Sequence, residues 1–218
     1  MALAEDRAIS VGDMLVAGSP PPKLLKALAA IASGLHEAFD ADPRIVPGIS
    51  RQSCVLCSLA IRDFLFRIGF RDAEAVPVAV AIRAFRDGKE IHSLGIGATD
   101  MRQATRIPGR WDGHMVAVLP SAGWLVDATL YPARREAWRG LPGMAAVPLL
   151  KDAVARPFGL VPVAGLAGTF GEGDADVEVL WLEHRANRSW KDGPDASRRR
   201  REAAVAALAA RFGAWSEG

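Results

Sequence analysis

Cysteine is scarce in this chain: Cys54 and Cys57 are the two among 218 residues. Two cysteines cannot build a disulfide framework, so a packed core has to hold the fold. A charge of one sign is lacking as well, since 27 basic side chains stand against 25 acidic ones. The resulting net charge of +2 gives no global field to draw a nucleic acid or an acidic membrane surface, and neither is expected as a partner. No unbroken apolar run approaches the roughly 20 residues that span a bilayer. The N-terminal MALAEDRAISVGDM puts acids where a signal peptide carries Lys or Arg. The expected setting is a reducing cytoplasm, and the expected partner is small or peptidic.

Half of the residues are hydrophobic, enough over this length for one sizeable core and short of two. A single domain over residues 1–218 is expected, with its core at about 22–131 and a C-terminal strand and helix at about 176–216. After three prolines, Leu24, Leu25, Leu28, Ile31, Leu35 and Phe39 recur at helical spacing. Residues 53–68 repeat the pattern, with Ser50 or Ser53 to cap the start and Gly69 to stop the end. From residue 76 the period changes to two, and Asp87-Gly88 predicts a hairpin turn before IHSLGIG. A connection of about fifteen residues leads to a second hairpin, His114 to Leu119 and Trp124 to Leu130. Residues 140–175 read as irregular loops, 177–184 as a strand and 197–215 as a last helix. Helices first and strands later predict an α+β fold with an antiparallel sheet.

Acyl transfer needs a nucleophile, a base to take its proton and a group to orient the base. Cys54, His114 and Asp127 can fill these places. A cysteine in the first turn of a helix meets unpaired N–H groups and the positive end of the dipole, which favour a thiolate. His114 and Asp127 share a sheet face if the hairpin loop has an even number of residues. Pairing Leu119 with Trp124 sets Asp127 opposite Val116, diagonal to His114. A two-residue loop would set it directly opposite. His92 also lies on a strand but has no aspartate downstream at hairpin spacing, and reads as a solvated polar group. Cys57, one turn further into the helix, reads as core.

Other chemistries find less support. Cys54-Val55-Leu56-Cys57 has the spacing of a redox motif, without the adjacent Trp or Pro and without a preceding strand. A zinc site needs four ligands, and no second Cys or His cluster lies at suitable spacing. Arg198 to Arg201 read as a solvated face. GTFGEG has neither the lysine nor the strand of a phosphate-binding loop. Trp111, Trp124 and Tyr131 flank the triad in sequence and belong either to an acyl or aromatic substrate pocket or to the core.

The Cys54 helix, then GHMVAVL, then GWLVDATL together resemble the core of the transglutaminase-like superfamily. This branch of the papain-like cysteine enzymes includes transglutaminases, bacterial cysteine peptidases and arylamine N-acetyltransferases. The family's helix runs from the cysteine to an Arg-x-x-Gly-like element, here Arg67 and Gly69. Its histidine opens a strand and its aspartate sits in a Trp-x-x-Asp-x-Thr-like setting, here Trp124, Asp127 and Thr129. The resemblance covers residues 50–70 and 110–131 and departs at Arg51-Gln52-Ser53, where the family is glycine-rich or aromatic. It implies a papain-like core with N-terminal helices on an antiparallel sheet. Cys54, His114 and Asp127 are then catalytic, Gln52 is an oxyanion donor, Trp111 and Trp124 lie against the substrate, and no metal or organic cofactor takes part. Hydrolysis of an amide or peptide bond is favoured because it needs no second substrate site. Transfer to an amine, action on a thioester and a binding domain without a reactive thiol stay open. The short C-terminal portion argues against an acetyltransferase.

Overall fold

The computed structural model describes residues 8–97, 111, 113–151, 160–170, 175–184 and 189–214. Its elements in chain order are β1 (Ala8–Val11), β2 (Met14–Ala17), α1 (Pro22–Asp40), α2 (Cys54–Arg67), β3 (Glu74–Arg86), β4 (Lys89–Ile96), β5 (His114–Leu119), β6 (Trp124–Asp127), β7 (Met144–Pro148), β8 (Pro162–Thr169), β9 (Asp176–Glu183) and α3 (Glu202–Ala214). The architecture is α+β, as expected. The expected connection between the hairpins lies largely outside the described residues.

Both long helices obey the signals read from the sequence. Pro22 opens α1, where a missing N–H costs nothing, and Leu24, Leu28, Ile31, Leu35 and Phe39 line its buried face. Ser53 caps α2, its Oγ accepting from the Leu56 N–H at 3.3 Å. The chain leaves that helix through Gly69, whose φ of +103° suits a residue without Cβ. Asp87 and Gly88 both take positive φ between β3 and β4, as a tight hairpin turn demands.

The sheet runs β1-β2-β7-β6-β5-β3-β9-β8, with β4 on the edge of β3 beyond β5. It is antiparallel except where β2 runs parallel to β7. A bridge from Leu149 to Ala164, with the Leu150 N–H on the Val163 carbonyl at 2.9 Å, brings the end of β7 to β8. The sheet therefore curls round on itself. Alternation gives it two buried faces. Val78, Val80, Val116, Val118, Leu125 and Trp181 pack inside the curl. Ala117, Leu119, Trp124 and Val126 pack outward against α1 and α2. Each such large side chain contributes about 1.5–3 kcal/mol on burial.

Three expectations need correction, and one element was not foreseen. Residues 140–175, expected as irregular loops, contain β7 and β8. Their Ala- and Gly-rich segments become strands through their partners, β7 between β2 and β6 and β8 along β9. The N-terminal hairpin β1-β2 was not anticipated. The expected run of strand to Leu130 stops at Asp127, because the Thr129 N–H folds back onto Asp127 Oδ1 at 2.9 Å and turns the chain. The last helix begins at Glu202 instead of Ser197, after short 3₁₀ turns at 194–196 and 198–200.

Candidate active site

The site is built where the start of α2 meets the start of β5. The β5-β6 ladder pairs Leu119 with Trp124 and Ala117 with Val126, the first of the two expected registers. Asp127 thereby comes level with Val116, diagonal to His114 on the inner face. His114 Nε2 and Asp127 Oδ2 are 2.7 Å apart. Cys54, at the start of α2, lies near enough to favour the charged form of the His114 ring. Since Nε2 is engaged by Asp127, Nδ1 is the ring nitrogen left for sulfur. The Ser58 hydroxyl donates to the Met115 carbonyl at 2.7 Å and pins α2 to the strand that His114 opens.

Asp127 is fully buried and accepts four hydrogen bonds. Besides His114, Oδ2 receives the Trp181 indole N–H at 2.8 Å. Oδ1 receives the Thr129 N–H at 2.9 Å and the Thr129 hydroxyl at 3.3 Å. Burial opposes its ionisation, but the imidazolium and these donors outweigh burial and hold the carboxyl below its usual range. Burial likewise opposes charge on His114. The Asp127 charge and hydrogen bond, with help from Cys54, overcome it and raise the ring to about 10. The pair is therefore an ion pair at neutral pH, with the carboxylate fixing both the tautomer and the plane of the ring.

Trp181 is the participant that sequence reasoning missed. β3 lies between the strands concerned: its Val78 pairs with His114 and its Val80 with Trp181. Val78 and Val80 face the same way, so both partners point into the curl. A tryptophan inside a buried strand was the available signal, since its N–H must find an acceptor there.

The other expected residues divide. Trp111 packs against a cluster formed by Val55, Leu59 and Met115, which also takes in Cys54 and Trp190. Its indole lies across the backbone ahead of His114, where a Cβ on Gly113 would meet Trp111 Cζ2 at 2.5 Å. Gly113→Ala should displace that ring, lowering stability by about 1–3 kcal/mol as overpacking does and admitting bulky maleimides to Cys54 faster. Thermal melts and labelling rates check both effects. Gln52 is exposed at the end of the 3₁₀ turn Ile49–Arg51, its N–H on the Ile49 carbonyl at 2.9 Å. Trp124 does not join the site. It packs in the outer core, because three positions along a strand separate it from Asp127 and alternation turns it away. Tyr131 sits edge-on to His36 on α1, away from Cys54's cluster.

No family model, curated protein or solved structure matches the chain.

The arrangement thus has to be read from its own chemistry. Cys54 is partly exposed, whereas Cys57 is buried, donates its S–H to the Ser50 carbonyl at 3.0 Å and has its thiol pushed well up by burial. At the open end of α2, the Leu56 N–H is taken by Ser53 Oγ and the Cys57 N–H by the Ser53 carbonyl, leaving the Cys54 and Val55 N–H groups at the helix mouth. The Ser53 hydroxyl in turn donates to Asp195 at 2.5 Å. His92 is exposed on β4 beside Trp138. Among the described residues no three His, Cys, Asp or Glu side chains converge to hold a metal, and no helix is long and apolar enough to cross a membrane. Arg198 and Arg199 are exposed as expected, but Arg201 is 5% exposed and bonds Asp63 at 2.6 Å.

Proposed function

We propose that this chain is a cysteine-dependent acyl-transfer enzyme of transglutaminase-like, papain-like architecture, a single domain working in a reducing cytoplasm on an amide or peptide bond. The observation that carries the reading is the run from Asp127 through His114 to Cys54, in which a fully buried carboxylate orients a histidine that lies near a thiol at a helix mouth.

In the first half-reaction the Cys54 thiolate attacks the carbonyl carbon and a C–S bond forms. The oxygen takes up the charge against the N–H groups of Cys54 and Val55, with Gln52 available from the preceding turn. His114 gives its proton to the departing amine, the C–N bond breaks, and a thioester remains on Cys54. In the second half-reaction water attacks that thioester, His114 accepts its proton, and the C–S bond breaks to release the acid and restore the Cys54 thiolate beside the His114 imidazolium. Trp111 beside Cys54 suits an apolar acyl portion. The same thioester would yield transfer if an amine took the place of water.

A panel of peptide amides and activated thioesters, followed by intact-protein mass spectrometry, tests this. A mass increase on Cys54 that decays with time, and that Cys54→Ser abolishes, is the expected result. Acid product then identifies a hydrolase, and amide formed from added amine identifies a transferase. A chain that acquires no adduct from any member, while binding peptides equally well as Cys54→Ser, would be a binding domain.

A further inference from the structure

A buried histidine outside the relay touches both segments that carry it. His36 lies on the core-facing side of α1 among Ile31, Leu35 and Phe39, where an apolar residue would satisfy packing. Its Nε2 is 3.1 Å from the Ala128 carbonyl, on the residue after Asp127. Its Nδ1 is 2.9 Å from Ser50 Oγ, in the turn that leads into Cys54. A carbonyl only accepts, so Nε2 carries the proton and Nδ1 accepts from the Ser50 hydroxyl. Burial, then the nearby Arg51 charge, lowers the ring to about 4, so this neutral tautomer holds at neutral pH.

The surroundings brace the same two segments. Ser50 is fully buried, and its carbonyl receives the Cys57 S–H at 3.0 Å. Asp40, at the end of α1, receives the Gly48 N–H at 2.7 Å and Arg51 at 2.9 Å. Tyr131 stands edge-on against the His36 ring at 5.3 Å, in room left by Gly143, where a Cβ would meet the tyrosine at 2.2 Å. Ser50 and Ala128 are thus tied to one imidazole whose two nitrogens make different demands.

We propose that His36 is a positioning residue that sets the start of the Cys54 helix against the Asp127 strand end, through Ser50 on one side and Ala128 on the other. The proposal rests on the Cys54-His114-Asp127 reading of the site. His36 touches no reacting atom. It limits how far Cys54 can drift from His114, a distance on which pairing of thiolate and imidazolium depends steeply.

The rate of Cys54 carboxamidomethylation by iodoacetamide, measured from about pH 5 to about pH 9 by peptide mass spectrometry, tests it. Ser50→Ala removes one hydroxyl and leaves the packing in place. His36→Leu removes both hydrogen bonds, and His36→Gln restores a donor toward Ala128. Ser50→Ala and His36→Leu should each slow the reaction near pH 6 by about tenfold while leaving it nearly unchanged near pH 9, the size expected from a lost buried hydrogen bond. His36→Gln should recover part of the loss. Profiles of folded Ser50→Ala and His36→Leu that superimpose on wild type would overturn the positioning role while leaving the relay standing. A wild-type profile indifferent to His114→Ala would instead remove the relay, and His36's role with it.

Discussion

Wild-type protein should lose iodoacetamide reactivity at Cys54 near pH 6 when His114 is replaced by Ala, whereas Cys57 should stay unlabelled in both. An ordinary thiol with a pKa of about 8.5 is roughly 0.3% ionised at that pH. A thiol paired with an imidazolium escapes that limit, so its advantage has a ceiling of roughly 300-fold, reduced because strongly acidic thiols are weaker nucleophiles. A loss of at least tenfold in His114→Ala is the expected result. Burial of Cys57 beneath the 3₁₀ turn supplies the internal control, because its thiol is inaccessible and held protonated. Equal rates for wild type and His114→Ala across the pH range would leave the thiol without a partner and end the enzymatic reading.

Asp127→Ala should be the most destabilising single change at the site. It strands the His114 ring, the Trp181 N–H and both Thr129 donors inside the protein. Breaking a buried pair in this way costs about 3–5 kcal/mol, or roughly 10 °C of melting temperature in a chain of this length. Asp127→Asn should cost less: its oxygen can still face His114 and Trp181, but its amide then meets the Thr129 N–H donor to donor. The effect must also depend on pH in a stated direction. His114 is raised from 6.5 to about 10, so its contribution is complete below 6.5 and drains away as pH rises toward 10. Asp127 is lowered from 3.8, so its contribution is complete above 3.8 and drains away as pH falls below that value. The gap in melting temperature between wild type and Asp127→Ala should be widest in mildly acidic solution and shrink steadily toward about pH 10. A gap constant across the alkaline range would mean that no ion pair exists.

Particular residues show what was legible in advance. α1 and α2 could be read because apolar period, prolines and Ser53 all point the same way, and the β3-β4 turn because Asp87-Gly88 accommodates its backbone. The pairing of His114 with Asp127 was legible because sheet parity is arithmetic. That arithmetic also separated Trp124 from Asp127, three positions apart on one strand, and its assignment to the substrate overlooked this. β7 and β8 were illegible for a different reason. Segments such as MAAVP and PVAGLAGT have little strand character of their own and take it from the strands they pair with. Trp181 and His36 were hidden because their roles depend on partners 54 and 92 residues away. No local period reports which of many distant carbonyls or carboxylates an imidazole or indole will find.

The Trp181 bond to Asp127 also has a consequence for how the chain is made. Asp127 leaves the ribosome 54 residues before its indole donor. At a synthesis rate of about 5–20 residues per second, the nascent chain spends roughly 3–11 s with that carboxylate made and its last partner unmade. During that interval β9 is not there to close the curl, and a carboxylate one donor short resists burial. The β5-β6 hairpin should therefore stay open to water until β9 emerges, so that the relay and the sheet around it are completed in a single late step.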